Sequence, residues 1–244
     1  MAWLRRLGLG LTLLLTAPAE AAEIYLPLLD QAPWGYMDAQ GKPAGVSIEL
    51  IDELGRRAGI PVRVDLMPRR RLAHEQANNR DYTAALLAGA AEVPPPYDRL
   101  GVLMTYHIVL VQQAGRDATS VDAYLGRQVG LVESLRVLLP QAVQRKVEAV
   151  TVGGIEEGLR MLAAGRLDGW FMADVVFRAS LAEYNYRRAD FGGLIPVLEL
   201  NSAFFVNRDS PLWPQRDRLA QALAAMTADG TNRRIVDTYA AARP

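Results

Sequence analysis

Two passages in different halves of the chain repeat one pattern. Asn78-Asn79-Arg80-Asp81-Tyr82 runs into Thr83-Ala84-Ala85-Leu86-Leu87-Ala88, and Ala163-Ala164-Gly165-Arg166-Leu167-Asp168 runs into Gly169-Trp170-Phe171-Met172-Ala173. Each ends a helical pattern with small or polar residues, carries an Arg and an Asp, and continues as an apolar run of strand length. Two α/β halves with the same punctuation predict two similar lobes. Two facing lobes enclose a cleft, and small ligands bind in clefts.

The rest of the chain supports that organisation. Residues 24–28 read as a strand, 31–41 as a loop rich in Pro, Gly and aromatics, and 47–58 as an amphipathic helix stopped by Gly59. Residues 62–66 alternate as a strand, 70–78 read as a helix and 83–87 as a buried strand. The order βαβαβ predicts a parallel sheet, with ligands outside the carboxyl ends of its strands. A long extended stretch at 102–113 then leaves the first lobe, with the crossing at 106–111. In the second half, strands are expected at 128–132, 147–150, 169–172 and 194–198, and helices at 134–145, 154–164 and 175–184. A return strand at 204–206 and two closing helices, 212–228 and 232–241, bring the chain back. Residues 22–108 with 202–244 are therefore expected to form lobe 1 and 109–201 lobe 2. Two crossing strands make a hinge suited to closure on a ligand.

Residues 1–21 read as a cleaved signal peptide. Arg5 and Arg6 supply the positive start, residues 7–16 the apolar run, and Ala17-Pro18-Ala19 or Ala19-Glu20-Ala21 the cleavage site. The run falls short of the ~20 apolar residues of a membrane span, so no membrane insertion is expected. The chain has 27 Lys+Arg against 27 Asp+Glu, and Arg5, Arg6 and Glu20 leave with the leader. A near-neutral exported protein with no basic run beyond Arg69-Arg70-Arg71 is a poor nucleic-acid binder. It has 0 Cys, so neither disulfides nor a lipidated cysteine hold it, and an apolar core must stabilise it alone.

The chain resembles the family 3 bacterial extracellular solute-binding proteins, the polar amino-acid binding components of ABC importers. Pro33-Trp34-Gly35-Tyr36, then 38–46, Glu49-Leu50 and Ala58-Gly59-Ile60 are similar to the family's opening. Tyr106 stands where its first lobe hands over, and residues 120–131 resemble its second-lobe entry. Residues 154–159 and 164–168 resemble its central helix and strand, and Phe204-Phe205-Val206, Leu223 and Asp229-Gly230-Thr231 its ending. The ordered set spans almost the whole exported chain. It implies a type II periplasmic binding protein fold, two α/β lobes joined by a two-strand hinge, and no cofactor; the duplicated lobes with two crossings predict a hinged monomer.

The chain departs from that family at the amino-acid contacts. The family's Thr-x-x-Arg segment, whose Arg grips an α-carboxylate, is replaced by residues 89–99, in which Arg99 follows three prolines and no Thr occurs. The usual Gly-Thr or Gly-Ser at the second-lobe helix is Glu133-Ser134-Leu135. The acid that holds an α-ammonium has Asp174 as a displaced neighbour. The usual amino acids are therefore expected to bind weakly or not at all.

Six residues are the expected ligand contacts. Trp34 and Tyr36 lie in the loop after the first strand, where aromatic rings can stack on a ligand or plug the lobe. Arg69, Arg70 and Arg71 follow a strand and open a helix, a place where one guanidinium can meet an anion or all three can be a solvated turn. Arg71 is the preferred one, because it resembles the Arg of a Pro-Trp-x-Arg segment in short family members. Arg99, Ser134 and Asp174 complete the set, although helix capping alone explains a Ser and an Asp at helix starts. Trp170 and Phe171 read as core, with Trp170 the nearer to the cleft.

The leading functional expectation is a periplasmic protein that captures a small polar, anionic solute and presents it to an inner-membrane ABC permease. A sensory or accessory binding protein is the alternative. A periplasmic dehydratase of the prephenate or arogenate type on the same fold is a third, with Glu133, His107 and Asp174 as its suspects. His74 and His107 are the 2 histidines, at no metal-ligating spacing, so no metal site is expected.

Overall fold

The computed structural model describes residues 22–89, 95–136 and 138–240. The signal-peptide reading of residues 1–21 lies outside these described residues. Strand β1 (Ile24–Leu29) passes through two short strands, β2 (Tyr36–Met37) and β3 (Pro43–Ala44), into helix α1 (Val46–Ala58). Val46, Ile48, Leu50, Ile51, Leu54 and Ala58 are the buried stripe of α1, at helical spacing. The helix stops where Gly59 takes φ 61, a left-handed turn that frees Ile60 N–H to bond the Gly55 carbonyl at 2.9 Å.

Strand β4 (Val62–Met67) then runs parallel to β1, and α2 (Arg69–Asn78) and β5 (Ala84–Ala88) complete the expected βαβαβ order. The sheet itself differs from the expected continuous parallel one. β1 and β4 form a two-stranded sheet, while β5 belongs to a six-stranded sheet and pairs antiparallel there. Thr83 joins the two. Its Oγ1 accepts the Tyr25 N–H at 2.8 Å, its N–H donates to the Tyr25 carbonyl at 2.9 Å, and its carbonyl accepts the Asn207 N–H at 2.9 Å. The next odd position of β1 is Pro27, which has no N–H to continue a ladder on that side.

Strand β6 (Tyr97–Gln113) leaves lobe 1 and enters lobe 2. Lobe 2 contains β7 (Gln128–Leu131), α3 (Glu133–Arg136), α4 (Gln141–Gln144), β8 (Glu148–Thr151), α5 (Ile155–Ala163), β9 (Gly169–Ala173) and α6 (Asp174–Glu183). Strand β10 (Phe191–Asn207) returns, and α7 (Arg216–Ala228) and α8 (Thr231–Ala240) close the described chain. The large sheet has the order β5-β10-β6-β9-β7-β8. β6 and β10 pair antiparallel along nearly their whole length. At one end β10 pairs with β5 through Ser202–Val206, and at the other β6 pairs with β9 through Ile108–Gln112. These two strands are the hinge between the lobes. β10 shifts register between Pro196 and Leu198 and between Ser202 and Ala203, on both sides of the crossing.

Two expected elements are corrected. The helix expected at 134–145 is two single turns, because Pro140 cannot donate within a helix and instead starts α4. The two strands expected at 194–198 and 204–206 are one strand, since both halves find a partner in β6.

Candidate functional site

A cavity of about 420 Å³ lies between the lobes, against the hinge strands. Its volume is within the ~300–1,000 Å³ of small-molecule sites. Lobe 1 and the hinge supply its polar groups: Gln31 after β1, Ser47 on α1, Arg69 and Gln76 on α2, Tyr106 on β6 and Ser202 on β10. The carboxyl end of β1 contributes Leu28 and Leu29, and that of β5 contributes Leu87 and Ala88, the strand ends at which such sheets bind ligands. The described side chains of the lobe 2 wall are all apolar. Val132, Leu135 and Leu138 come from the turn after β7, and Ile155 opens α5. Trp170, Met172 and Ala173 come from β9 and Val176 from α6.

Helix α2 explains how a cation reaches this space. Pro68 ends the strand segment and Arg69 begins the helix. Arg69, Leu72 and Gln76 follow at helical spacing and all three line the cavity. No residue of α2 is buried, because this face meets open volume instead of packed side chains. The Arg69 guanidinium donates to Gln31 Oε1 at 3.4 Å, and among the described residues it forms no ion pair. Its side chain remains exposed, and the neighbouring protein desolvates it only in part, which lowers its pKa from the ordinary arginine value, with the Tyr106 phenol acting in the opposite direction. An arginine remains charged under these conditions.

Trp34 and Tyr106 form the aromatic floor. Their ring centroids are 4.9 Å apart with an interplanar angle of 53°. Tyr106 is buried, and burial raises its phenol pKa, while Ser202 and the Arg69 charge pull it down and the Asp174 carboxylate adds a smaller upward push. Trp170 faces them from lobe 2. It is 1% exposed and lies over Gly158 of α5, where any Cβ would collide with its six-membered ring.

The six residues singled out in the sequence separate in space. Trp34 lines the cavity. Tyr36 lines another recess, with Glu49, Arg178 and Tyr239, where α6 and α8 meet. Arg71 points away: its side chain is 69% exposed and its ion-pair partner is Glu75, 3.8 Å away on the same helix. The arginine brought to the cleft is Arg69, two positions earlier. Arg99 is exposed on β6 opposite Phe205. It precedes Met104, where β6 first lines the cavity, by roughly 16 Å of strand at ~3.3 Å per residue. Ser134 falls in α3, but its side chain lies outside the described residues.

Asp174 turns to the opposite face of the hinge. Its Oδ1 accepts the His107 backbone N–H at 3.1 Å and the Val175 N–H at 2.9 Å. With His107 and Glu199 it lines a separate groove of about 850 Å³ behind β6 and β10. Glu133, also weighed as a catalytic acid, is exposed and bonded to Arg136 and Thr151. None of the three enzyme suspects therefore lines the cavity. Among the described residues no group of His, Cys, Asp and Glu could hold a metal ion, and no helix is long and apolar enough to cross a membrane.

Sequence reasoning ranked Arg69 behind Arg71 and did not single out Tyr106 or Gln76 as cavity residues. Positions 69, 72 and 76 share one helix face, whereas 71 does not, but the sequence does not say which face of α2 meets the cleft.

The family described as bacterial extracellular solute-binding proteins, family 3, matches residues 28–242. Among solved structures, the L-cystine solute receptor of Neisseria gonorrhoeae, in its unliganded open conformation, is similar with a TM-score of 0.66 at 16% identity, covering 89% of this chain and 92% of that one. Substrate binding domain 2 of GlnP from Lactococcus lactis gives 0.67 at 14% identity, over 91% and 97%. A histidine kinase sensor domain with similarity to periplasmic binding proteins gives 0.65 at 19% identity, over 90% and 96%. No curated protein matches the sequence. At these identities the structural likeness is one of fold, the type II periplasmic binding architecture.

Proposed function

Since the chain belongs to the bacterial extracellular solute-binding proteins, family 3, we propose that it captures a small anionic solute between its lobes and closes on it. In this reading residues 22–108 with 202–244 form one jaw and 109–201 the other. The carrying observation is the cavity itself. One wall comes from β1, α2 and β5, the facing wall from β7, α5, β9 and α6, and the two long crossing strands run beside it. Such a site is completed only when the lobes approach, which couples ligand binding to a hinge motion.

Arg69 supplies the positive charge for the solute, and Trp34 with Tyr106 supply the surface on which it rests. We assign the chain to the periplasm after export, and its closed form to an inner-membrane ABC permease as the receiving partner. Mass spectrometry of small molecules released from protein purified under native conditions tests this reading. Recovery of one anionic compound in stoichiometric amount supports it. A preparation that carries no such compound, and that no anion from a broad panel stabilises against heat, contradicts it.

A further inference from the structure

We infer that the solute is a carboxylate, or a comparable single anion, attached to an apolar body and carrying no ammonium group. This inference rests on the cavity being the ligand site, and it divides the cavity by chemistry. Arg69 is the charged side chain among the described lining residues, and no described Asp or Glu lines the space. The facing wall offers Val132, Leu135, Ile155, Trp170, Met172 and Val176, none of which can accept a hydrogen bond from an ammonium through its side chain.

Several acids adjoin lining residues in sequence, among them Asp30, Glu75, Glu133, Glu156 and Asp174; none of these lines the space, and Asp174 is already committed. It receives the His107 and Val175 N–H groups on the far face of the hinge strands. An α-amino acid placed with its carboxylate on Arg69 would have its ammonium near the apolar wall or near the hinge, where the neutral oxygens of Tyr106 and Ser202 line the space but no described carboxylate does, and it would be desolvated as the lobes close. A buried charge without a partner is strongly disfavoured. The same molecule without the ammonium loses nothing and buries its apolar body against Trp170 and its neighbours. Arg69, exposed at the cavity and held by a long 3.4 Å contact to Gln31, has donors left for a bidentate pair with a carboxylate.

The test compares molecules that differ by one group. The exported chain is titrated with 3-phenylpropanoate, with phenylalanine, which adds the ammonium, and with 3-phenylpropanamide, which removes the charge. 4-Methylpentanoate and leucine form a second pair. Binding is followed by calorimetry and by the emission of Trp34 and Trp170, which both line the cavity. The expected result is saturable binding of at least one carboxylate, with its amino-acid counterpart roughly a hundredfold weaker. Arg69→Gln should erase the preference for carboxylate over amide.

Equal or tighter binding of the amino acid overturns the inference, as does an unchanged carboxylate preference in Arg69→Gln. Absence of saturable binding for both carboxylates also overturns it. Leu72→Trp, on the half-buried cavity face of α2, separates this failure from failure of the site. If phenylalanine binds as well as 3-phenylpropanoate and Leu72→Trp blocks both, the site stands and the ligand class falls. If the carboxylate binds Leu72→Trp as tightly as wild type, the cavity is not the ligand site.

Discussion

Gly158 of α5 and the indole of Trp170 on β9 occupy one another's space: a Cβ on Gly158 would lie 0.6 Å from Trp170 Cζ3. The missing side chain lets the ring lie close against the helix. Trp170 is thereby fixed as part of the apolar wall of the interlobe cavity.

Gly158→Ala should therefore damage both the lobe and the cleft. Overpacking of a core costs ~1–3 kcal/mol, and the helix-propensity gain of Ala over Gly offsets up to ~1 kcal/mol of it. A loss of about 2 kcal/mol is expected in urea denaturation, because the overlap is with the rigid ring and not with a flexible tip. The Trp170→Phe background should recover part of that loss. Wild-type stability in Gly158→Ala contradicts the packing described here.

Arg71→Ala should change little. Its side chain is 69% exposed, and the pair with Glu75 spans 3.8 Å within one helix. Exposed i,i+4 pairs contribute ~0.3–0.5 kcal/mol, so thermal stability should shift by no more than that. Affinity for any solute held in the cleft should be unchanged, while Arg69→Ala weakens it. A tenfold or larger loss in Arg71→Ala by calorimetry would bring Arg71 back into the site.

The acid side of the stability profile should depend on one network. Glu53 is held at about 2, against an ordinary 4.5, by the guanidinium hydrogen bonds of Arg56 and then Arg57. Asp229 is held at about 2, against an ordinary 3.8, by Thr231 and then Arg57. Arg57 so ties α1 to the junction of α7 and α8, at 2.6 Å from Glu53 and 2.7 Å from Asp229. Both carboxylates are depressed in the folded state, so their contribution is present above their ordinary values and is lost as pH falls toward about 2. Thermal unfolding followed from neutral to acid pH should show a decline across that window. Arg57→Ala should make that decline shallower without removing it, since Arg56 and Thr231 stay in place, and a decline parallel to wild type would refute the part assigned to Arg57.

Asp174→Ala should act on the fold and not on the ligand. It removes the acceptor for the His107 and Val175 N–H groups at the start of α6. Loss of such a helix-start acceptor costs ~0.5–2 kcal/mol, measurable by denaturant unfolding. Ligand affinity equal to wild type is expected, because the side chain faces the groove behind the hinge. A selective loss of affinity at unchanged stability would place Asp174 in the site.

How much of this was legible depends on what the local pattern encodes. The stripe of α1 and its Gly59 stop, the alternation of β4 and the apolar runs of β5 and β9 are all local, and they emerged within a residue or two of expectation. The break at Pro140 was also local but was overridden by the apolar pattern around it. Three facts were not local. The β1–β5 ladder fails because Pro27 meets a partner strand far along the chain. β10 is continuous because β6 is long enough to pair with all of it. The choice among Arg69, Arg70 and Arg71 depends on which face of α2 meets the cleft, and a helix with no buried residue carries no apolar stripe to reveal that. Asp174 was legible as a helix start, whereas the side of the hinge it faces is set by the tertiary fold.

The central claim, that the lobes close on a solute held between the Arg69 wall and the Trp170 wall, is tested most directly by small-angle X-ray scattering of the protein before and after saturation with its ligand. A smaller radius of gyration is expected in the saturated protein, and no such change for Leu72→Trp, whose cavity is filled. Saturation shown by calorimetry with an unchanged radius of gyration would contradict it.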